Sequence, residues 1–276
     1  MIFTKTILRD FAKLCNLAYK PSEEIRENFY SRPLNISDHE SVLYHCPAPP
    51  RLYSRDRDSQ MYVCEYDGKL SITFRGTESA RDIITDLNIL QTEMPIRFMD
   101  AAELPQVHWG FYNQFCELKP DMDNIVKEYA TADDIPSKEI IFSGHSLGGA
   151  LATISALHYA FEYPGVLVNC ITFGSPRVGD SKFANYFDRI IFNSYRFVND
   201  NDPIPCLPTA WRYQHVKGCV WLHQDQVLDE ITVWRGWRFF KNYMLSFFGL
   251  GYNAAEDHSC HGYCRDIEIL DDNLKN

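Results

Sequence analysis

The amino-acid sequence predicts an α/β fold, in which a mostly parallel central sheet has helices on both faces. Three short apolar segments, at residues 139–144, 167–174 and 194–200, are typical of buried strands. Two segments with helical character, at 147–163 and 181–190, lie between them. Alternation of strands and helices favours a parallel sheet, because each crossover lays a helix on one face of the sheet.

The N-terminal part is predicted to contain a helix, an irregular segment and a hairpin. Residues 1–19 carry apolar side chains at helical spacing. Residues 20–60 contain several prolines, and we expect them to be irregular. Residues 61–76 contain two apolar runs on either side of Asp67-Gly68, a pair that favours a two-residue hairpin turn.

Two helices flank the first buried strand. Residues 111–130 predict a helix that is interrupted near Pro120, because proline lacks a backbone N–H group. The helix at 147–163 should end at Pro164-Gly165. No linker composition divides the sequence, so we predict one domain that spans residues 1–276.

Composition and charge restrict the class of protein. The chain has 276 residues, of which 45% are hydrophobic, and its formal net charge is −10. So acidic a chain is a poor general ligand for nucleic acid, which binds clustered Lys and Arg. The first residues carry charges at Lys5, Arg9, Asp10 and Lys13 where a signal peptide would be apolar. We therefore predict a cytoplasmic protein whose nine cysteines are mostly free thiols.

Residues 144–148 form the pattern G-x-S-x-G, with Ser146 at its centre. An apolar strand precedes it and a helix of small residues follows, which is the context of the nucleophile elbow in an α/β-hydrolase fold. The turn strains the serine backbone and presents the hydroxyl at a helix N-terminus, where N–H groups favour negative charge. We predict Ser146 as the nucleophile and the N–H of Leu147 as one oxyanion donor. A glycine-rich structural turn is the alternative.

A serine nucleophile needs a base and an acid that orients the base. In this fold the chain order is serine, then an acidic residue, then histidine. Asp200 and Asp202 both follow a predicted strand, in VNDNDPIP, and both are candidates for the acid. The candidates for the base are the downstream histidines His158, His215, His223, His258 and His261.

Six segments resemble motifs of the class 3 lipases, a family that includes filamentous-fungal triacylglycerol lipases and intracellular eukaryotic acylglycerol lipases. They are FRGT at 74–77, VHWGF at 107–111, FSGHSLGGALA at 142–152, TFGSPRVGD at 172–180, RFVNDNDPIPCLP at 196–208 and DHSCHGY at 257–263. The resemblance implies an α/β-hydrolase fold with Asp202 as the acid and His258 as the base. It also implies that Thr77 is the second oxyanion donor. Asp200 and His261 are the competing residues.

The same resemblance implies that residues 78–106 contain a lid. Ile83, Ile84, Leu87 and Leu90 recur there at helical spacing. An amphipathic helix over the serine would cover apolar walls in water and open at a lipid surface. An ordinary helix that faces the core is the alternative.

Residues 231–250 combine many aromatic side chains with Arg235, Arg238 and Lys241, and contain no acidic residue. On a helix, such an apolar face with a basic flank suits the headgroup region of a bilayer. This is consistent with peripheral contact with a membrane or a lipid droplet. A core helix that supports the loop carrying His258 is the alternative, and the pattern slightly favours it.

The C-terminal residues His258, Cys260, His261 and Cys264 also invite a zinc site. Their spacing is too crowded for a zinc finger and no second pair lies nearby, so we predict no metal.

The predicted activity is that of a serine carboxylester hydrolase that cleaves acylglycerols through an acyl-enzyme and needs no cofactor. The segment RGTESARDIITDL at 75–87 resembles the intracellular diacylglycerol-lipase branch. A phospholipase, an acyltransferase with the same triad, and a catalytically silent domain that binds lipid are the alternatives.

Overall fold

The computed structural model describes residues 5–20, 51–54, 60–77, 89–97, 99–132, 138–199, 202–223, 226–228 and 254–273. Asp200 and the predicted helix at 231–250 lie outside the described residues. Within the described part of the chain, no helix is long and apolar enough to cross a membrane.

Eight of the described strands form one sheet, in the spatial order β1-β2-β3-β6-β7-β8-β9-β10. The strands are β1 (Arg51–Ser54), β2 (Gln60–Tyr66), β3 (Lys69–Phe74), β4 (Gln91–Glu93), β5 (Gln106–His108), β6 (Glu139–His145), β7 (Leu167–Phe173), β8 (Asn193–Asn199), β9 (Cys219–His223) and β10 (Gln226–Leu228). Neighbouring strands from β3 to β9 are parallel, whereas both edges of the sheet pair antiparallel. Strands β4 and β5 form a separate antiparallel ribbon.

Helices cover both faces of the sheet, as the sequence predicts. The helices are α1 (Lys5–Leu17), α2 (Trp109–Thr131), α3 (Leu147–Glu162), α4 (Ser181–Ile190), α5 (Ala254–His258) and α6 (Cys260–Asn273). On β6, Ile140 and Phe142 join the core formed with α2, α3 and α4. Ile141 points the other way and joins the core formed with α1 and α6. This alternation follows from the period of two along a strand.

The predicted hairpin is confirmed. Asp67 and Gly68 form its two-residue turn, with φ of 50° and 72°, and Tyr66 pairs with Lys69 across the turn. Positive φ at both turn residues is what a tight hairpin requires, and it explains the Asp-Gly pair.

Two predictions about local structure are wrong. The segment predicted as irregular, 20–60, lies mostly outside the described residues, but its described part contains β1, which pairs with β2 through Arg51 and Val63. Pairing with a neighbour, which local composition does not encode, determines this strand. Helix α2 also continues through Pro120 without interruption. Its buried apolar face, with Phe115 and Met122 on either side of the proline, offsets the one missing backbone hydrogen bond.

The structure describes only the second half of residues 78–106, the segment predicted to contain a lid. Residues 78–88, with most of the predicted amphipathic helix, lie outside the described residues. Leu90 is exposed and not helical, and the chain forms β4 from Gln91 onwards. Met94 and Ile96 then pack into the core. The lid stays a prediction. The single-domain assignment stays a prediction.

Candidate active site

Ser146 lies at the sharp turn between β6 and α3. Its backbone has φ 58° and ψ −125°, a conformation that is rare for a residue with a side chain. The two glycines of the pattern permit the turn through close packing. A Cβ atom on Gly144 would lie 2.2 Å from the carbonyl oxygen of Gly148, and one on Gly148 would lie 2.3 Å from that of Phe74. The turn therefore has the strained geometry that the sequence predicts.

The structure brings His258 to this serine. His258 is the last residue of α5, and its Nε2 atom lies 2.8 Å from Ser146 Oγ. Both residues are buried. The competing His261 is exposed on α6, so its side chain does not share this buried site. The distance permits proton transfer between the hydroxyl and the imidazole.

Asp202 lies on the other side of the His258 ring. Both carboxylate oxygens of Asp202 are 2.9 Å from His258 Nδ1. The carboxylate is fully buried, and its Oδ1 also accepts a hydrogen bond of 2.9 Å from the backbone N–H of Ile204. Because a carboxylate only accepts, Nδ1 carries the proton and Nε2 is left to accept from Ser146. One continuous hydrogen-bond chain therefore joins the hydroxyl to the acid.

Tyr263 is a part of the site that the sequence reasoning missed. Its hydroxyl donates to Asp202 Oδ2 at 2.6 Å and accepts from the backbone N–H of Asn199 at 2.8 Å. Burial and the neighbouring Asp202 raise the pKa of Tyr263 well above its usual value, so the hydroxyl keeps its proton and donates. The only signal in the sequence was its place in the motif DHSCHGY.

Gly174 leaves room for the side chains of Asp202 and His258. It has φ 59°, and a Cβ atom there would lie 2.6 Å from Asp202 Oδ2 and 3.2 Å from the ring of His258. A side chain at this position would therefore displace both groups.

Of the two predicted oxyanion donors, Leu147 directly follows Ser146 in the chain, and Thr77 lies in the loop after β3. Leu147 is the first residue of α3, where backbone N–H groups have no partner within the helix. The loop after β3 approaches the nucleophile at Gly76, where a Cβ atom would lie 3.2 Å from Ser146 Cβ. Thr77 is the next residue. The oxyanion roles of Leu147 and Thr77 stay predictions.

Two further histidine candidates, His158 and His215, make other contacts. His158 packs against Phe115, and His215 Nε2 lies 2.6 Å from the carbonyl oxygen of Pro205. Among the described residues, no group of three or more His, Cys, Asp or Glu side chains is arranged to hold a metal ion.

The structure resembles solved lipases. It matches the lipase from Rhizopus microsporus var. chinensis with a TM-score of 0.63 and 26% identity, over 81% of this chain and 76% of that chain. A triacylglycerol lipase whose catalytic centre is described as a serine protease triad matches with a TM-score of 0.56 and 28% identity, over 63% of this chain and 66% of that chain. Together with the sheet order and the turn at Ser146, these matches confirm the α/β-hydrolase fold.

Sequence relatives correct one prediction. A secreted mono- and diacylglycerol lipase from Fusarium solani is 31% identical over 61% of this chain and 50% of its own length. A lipase from Rhizomucor miehei is 33% identical over 60% of this chain and 45% of its own length. The chain thus spans about half the length of these relatives. The Fusarium solani relative is named as a secreted lipase, so the prediction of a cytoplasmic location is wrong. That prediction depended on charged side chains in the first residues, and these charges do not decide the compartment.

The family is established by a match to the whole central part of the chain. The model of the family "Lipase (class 3)" matches residues 71–211. This range runs from β3 through the nucleophile turn at Ser146 to the loop that follows Asp202. It includes five of the six motifs that carry the resemblance. The chain therefore belongs to the class 3 lipase family.

Proposed function

We propose that the chain is a serine carboxylester hydrolase that cleaves acylglycerols through an acyl-enzyme. The observation that carries this proposal is the buried hydrogen-bond chain from Ser146 Oγ through both ring nitrogens of His258 to the Asp202 carboxylate. A nucleophile, a base and an orienting acid in this arrangement are the parts that acyl transfer requires.

In the proposed reaction, Ser146 attacks the ester carbonyl carbon while His258 Nε2 accepts the hydroxyl proton. Asp202 holds the imidazole and stabilises its positive charge. His258 then returns the proton to the leaving alkoxide, and the acyl group stays on Ser146. A water molecule, deprotonated by His258, hydrolyses this ester and restores the serine. The sequence of steps needs no cofactor.

The negative oxygen of the tetrahedral intermediate needs aimed donors. We assign the backbone N–H groups of Leu147 and Thr77 to this role. Support comes from the position of Leu147 at the N-terminus of α3, where the helix dipole also favours negative charge. Loss of one such donor typically reduces kcat by about 100- to 1,000-fold.

The substrate class is inferred from the relatives and from the burial of the site. The relatives are named as lipases of mono- and diacylglycerols and of triacylglycerols. Ser146 is 0% exposed, so a bulky ester reaches it only after covering residues move. A site closed in water and opened by lipid fits an enzyme whose substrate is an aggregated lipid ester.

An exposed apolar cluster supports contact with a lipid surface. Leu90, Trp109 and Trp211 are 58%, 46% and 81% exposed. The carbonyl of Leu90 accepts from the N–H of Trp109 at 2.9 Å and from the hydroxyl of Tyr213 at 3.2 Å, which brings these segments together. Trp109 is the first residue of α2, and the end of α2 leads to the start of β6. The start of α2, and with it the cluster, therefore lies at the carboxyl ends of the parallel strands. Ser146 lies at the same edge.

The activity is tested with purified protein on p-nitrophenyl butyrate, dioleoylglycerol, trioleoylglycerol and phosphatidylcholine. We expect acylglycerol hydrolysis that Ser146→Ala abolishes. Ser155→Ala, a buried serine nine residues further along the same helix, is the matched control and should keep full activity. Acylglycerol turnover that survives Ser146→Ala would refute the proposal, and acyl esters of an added alcohol in place of free acid would favour an acyltransferase.

Lipid contact is tested with Trp211→Ser on an emulsion and on the soluble ester. We expect a lower rate on the emulsion alone. Phe192→Ser is the control, because Phe192 is equally exposed, at 82%, but directly precedes β8 at the opposite edge of the sheet. Equal effects of the two substitutions would refute the contact.

A further inference from the structure

His145 connects the proposed base to the N-terminal part of the chain through two hydrogen bonds. It is the last residue of β6 and directly precedes Ser146. Its Nε2 atom lies 2.6 Å from the backbone carbonyl oxygen of His258. Its Nδ1 atom lies 2.7 Å from the hydroxyl oxygen of Tyr19, which follows α1. His145 is 3% exposed, and its contact with His258 is buried, whereas its contact with Tyr19 is partly buried.

The chemistry of the partners determines the direction of both hydrogen bonds. A carbonyl oxygen only accepts, so His145 Nε2 carries a proton and donates to His258. Burial, and next the neighbouring His258, lower the pKa of His145 well below its usual value, so the ring is neutral and Nδ1 accepts. Burial raises the pKa of Tyr19, so its hydroxyl keeps the proton that it donates to Nδ1. Tyr19 therefore selects the tautomer of His145 that can bind His258.

The contact with His258 matters because it fixes the backbone that carries the proposed base. The two ring nitrogens of His258 are engaged by Ser146 and Asp202, so they orient the ring but do not locate the main chain. His258 is the last residue of α5, and the last carbonyl groups of a helix accept no hydrogen bond from within that helix. His145 supplies that partner, and it is adjacent in the chain to the nucleophile.

We propose that Tyr19 and His145 are positioning residues that hold the backbone of His258 at the distance from Ser146 at which proton transfer occurs. This inference rests on the proposed hydrolase function. Neither residue touches the reacting atoms, so neither is catalytic. Through the contact of Tyr19 with His145, the segment that follows α1 becomes a structural part of the proposed active site, although it lies outside the range matched by the family model.

The neutral state of His145 serves the same purpose. The rings of His145 and His258 have centroids 4.7 Å apart, and His258 becomes an imidazolium during the attack by Ser146. A second cation at this distance would repel it in a buried site. The Tyr19 hydroxyl occupies the lone pair of Nδ1 and so opposes a second proton on His145. Among the described residues, the polar groups around this pair include Tyr263, whose ring centroid is 5.7 Å from that of His145, and Arg75, whose guanidinium lies 5.9 Å from the centroid of Tyr19. The thiols of Cys15 and Cys260 also face Tyr19.

The test compares Tyr19→Phe with Tyr66→Phe. Each substitution removes one buried hydroxyl and keeps the ring. The Tyr66 hydroxyl donates to Asp10 at 2.8 Å, near the hairpin turn at the opposite edge of the sheet. For p-nitrophenyl butyrate, we expect Tyr19→Phe to lower kcat about 10-fold with KM changed less than about twofold, because misplacement of a base affects the chemical step. Tyr66→Phe should leave kcat unchanged.

Rescue at His145 separates positioning from general packing. His145→Gln keeps an N–H donor toward the His258 carbonyl, whereas His145→Leu has none, so the Gln variant should retain at least about 10 times the kcat of the Leu variant. Equal kcat values for the two variants would overturn the proposal, as would equal kcat values for Tyr19→Phe and Tyr66→Phe.

A readout that needs no turnover distinguishes this inference from the hydrolase function. In ¹⁵N-histidine NMR spectra, Tyr19→Phe should shift His145 Nδ1 and the Nδ1–H proton that His258 donates to Asp202, and Tyr66→Phe should shift neither. Absence of esterase activity in the wild-type protein would refute the hydrolase function. Unchanged His258 resonances in Tyr19→Phe would overturn only the proposal that Tyr19 and His145 position His258.

Discussion

Replacement of Tyr263 with phenylalanine removes one hydroxyl group that makes two buried hydrogen bonds. The hydroxyl donates to the Asp202 carboxylate at 2.6 Å and accepts from the backbone N–H of Asn199 at 2.8 Å. A hydrogen bond to a charged group contributes about 1.5–3 kcal/mol and a neutral one about 0.5–1.5 kcal/mol. We therefore expect Tyr263→Phe to lower the free energy of unfolding by about 2–4 kcal/mol. At roughly 2 °C per kcal/mol for a chain of this size, Tm should fall by about 4–8 °C.

The activity of this variant should fall as well. Asp202 would keep its contacts with the N–H of Ile204 and with His258 but lose the Tyr263 donor on Oδ2, so the carboxylate would be held less firmly against His258. We expect kcat for a soluble p-nitrophenyl ester to decrease about 10-fold, because a small misplacement of the base slows proton transfer. Differential scanning calorimetry and initial rates on the same preparation measure the two effects.

Tyr129→Phe is the matched control for Tyr263→Phe. The Tyr129 hydroxyl also makes two hydrogen bonds, to the carbonyl of Glu139 at 3.0 Å and from its N–H at 3.1 Å, but both are neutral and lie at the start of β6. Its loss should cost about 1–3 kcal/mol of stability and leave kcat unchanged. If both variants had the same kcat, Tyr263 would not position Asp202 and the reasoning would be refuted.

Three further predictions concern residues in other environments. Burial lowers the pKa of His158 to about 4, so the unfolded chain binds the extra proton between about pH 6.5 and 4. The free energy of unfolding should therefore fall by up to about 3 kcal/mol as pH decreases through that range. Urea titrations at several pH values should show a weaker pH dependence of this free energy for His158→Leu than for the wild type. An equal pH dependence in the two proteins would contradict the lowered pKa. Gly174→Ala places a Cβ atom 2.6 Å from the Asp202 carboxylate and should reduce kcat about 100-fold. Gly165→Ala, with open space around the new Cβ atom, should leave kcat unchanged. Similar kcat values for the two variants would contradict this prediction. Cys116 is exposed, so Cys116→Ser should remove one equivalent from the fast phase of thiol labelling, and an unchanged fast phase would show that this thiol is covered.

The nucleophile turn could be predicted from sequence because its signals are local. Residues 139–163 contain, in order, an apolar strand, the G-x-S-x-G pattern and a helix of small residues. Each of these segments limits the conformation of the one that follows. The bounds predicted for helix α4, 181–190, are those observed, and the structure shows the local cause at its start: the side chain of Asp180 accepts a hydrogen bond of 2.9 Å from the N–H of Phe183. Local chemistry determines both features.

Features that depend on partners distant in the chain could not be predicted. Strands β1 and β10 form the edges of the sheet and β9 lies next to β10; all three are short and owe their conformation to pairing, which a single sequence does not show. Tyr19 and His145 are 126 positions apart, and neither carries a pattern that indicates a hydrogen bond. The resemblance to the class 3 lipases indicated Asp202 and His258, whereas spacing alone left Asp200 and His261 as competitors.

The central claim is that Ser146 is a nucleophile activated by His258. The most direct measurement is peptide mapping by mass spectrometry after treatment with a p-nitrophenyl alkylphosphonate, which forms a stable covalent bond with an activated serine. We predict one phosphonyl group per chain, on Ser146, and a labelling rate that His258→Ala lowers by at least about 1,000-fold. A phosphonyl group on another residue, or a folded wild-type protein that stays unlabelled, would contradict the account.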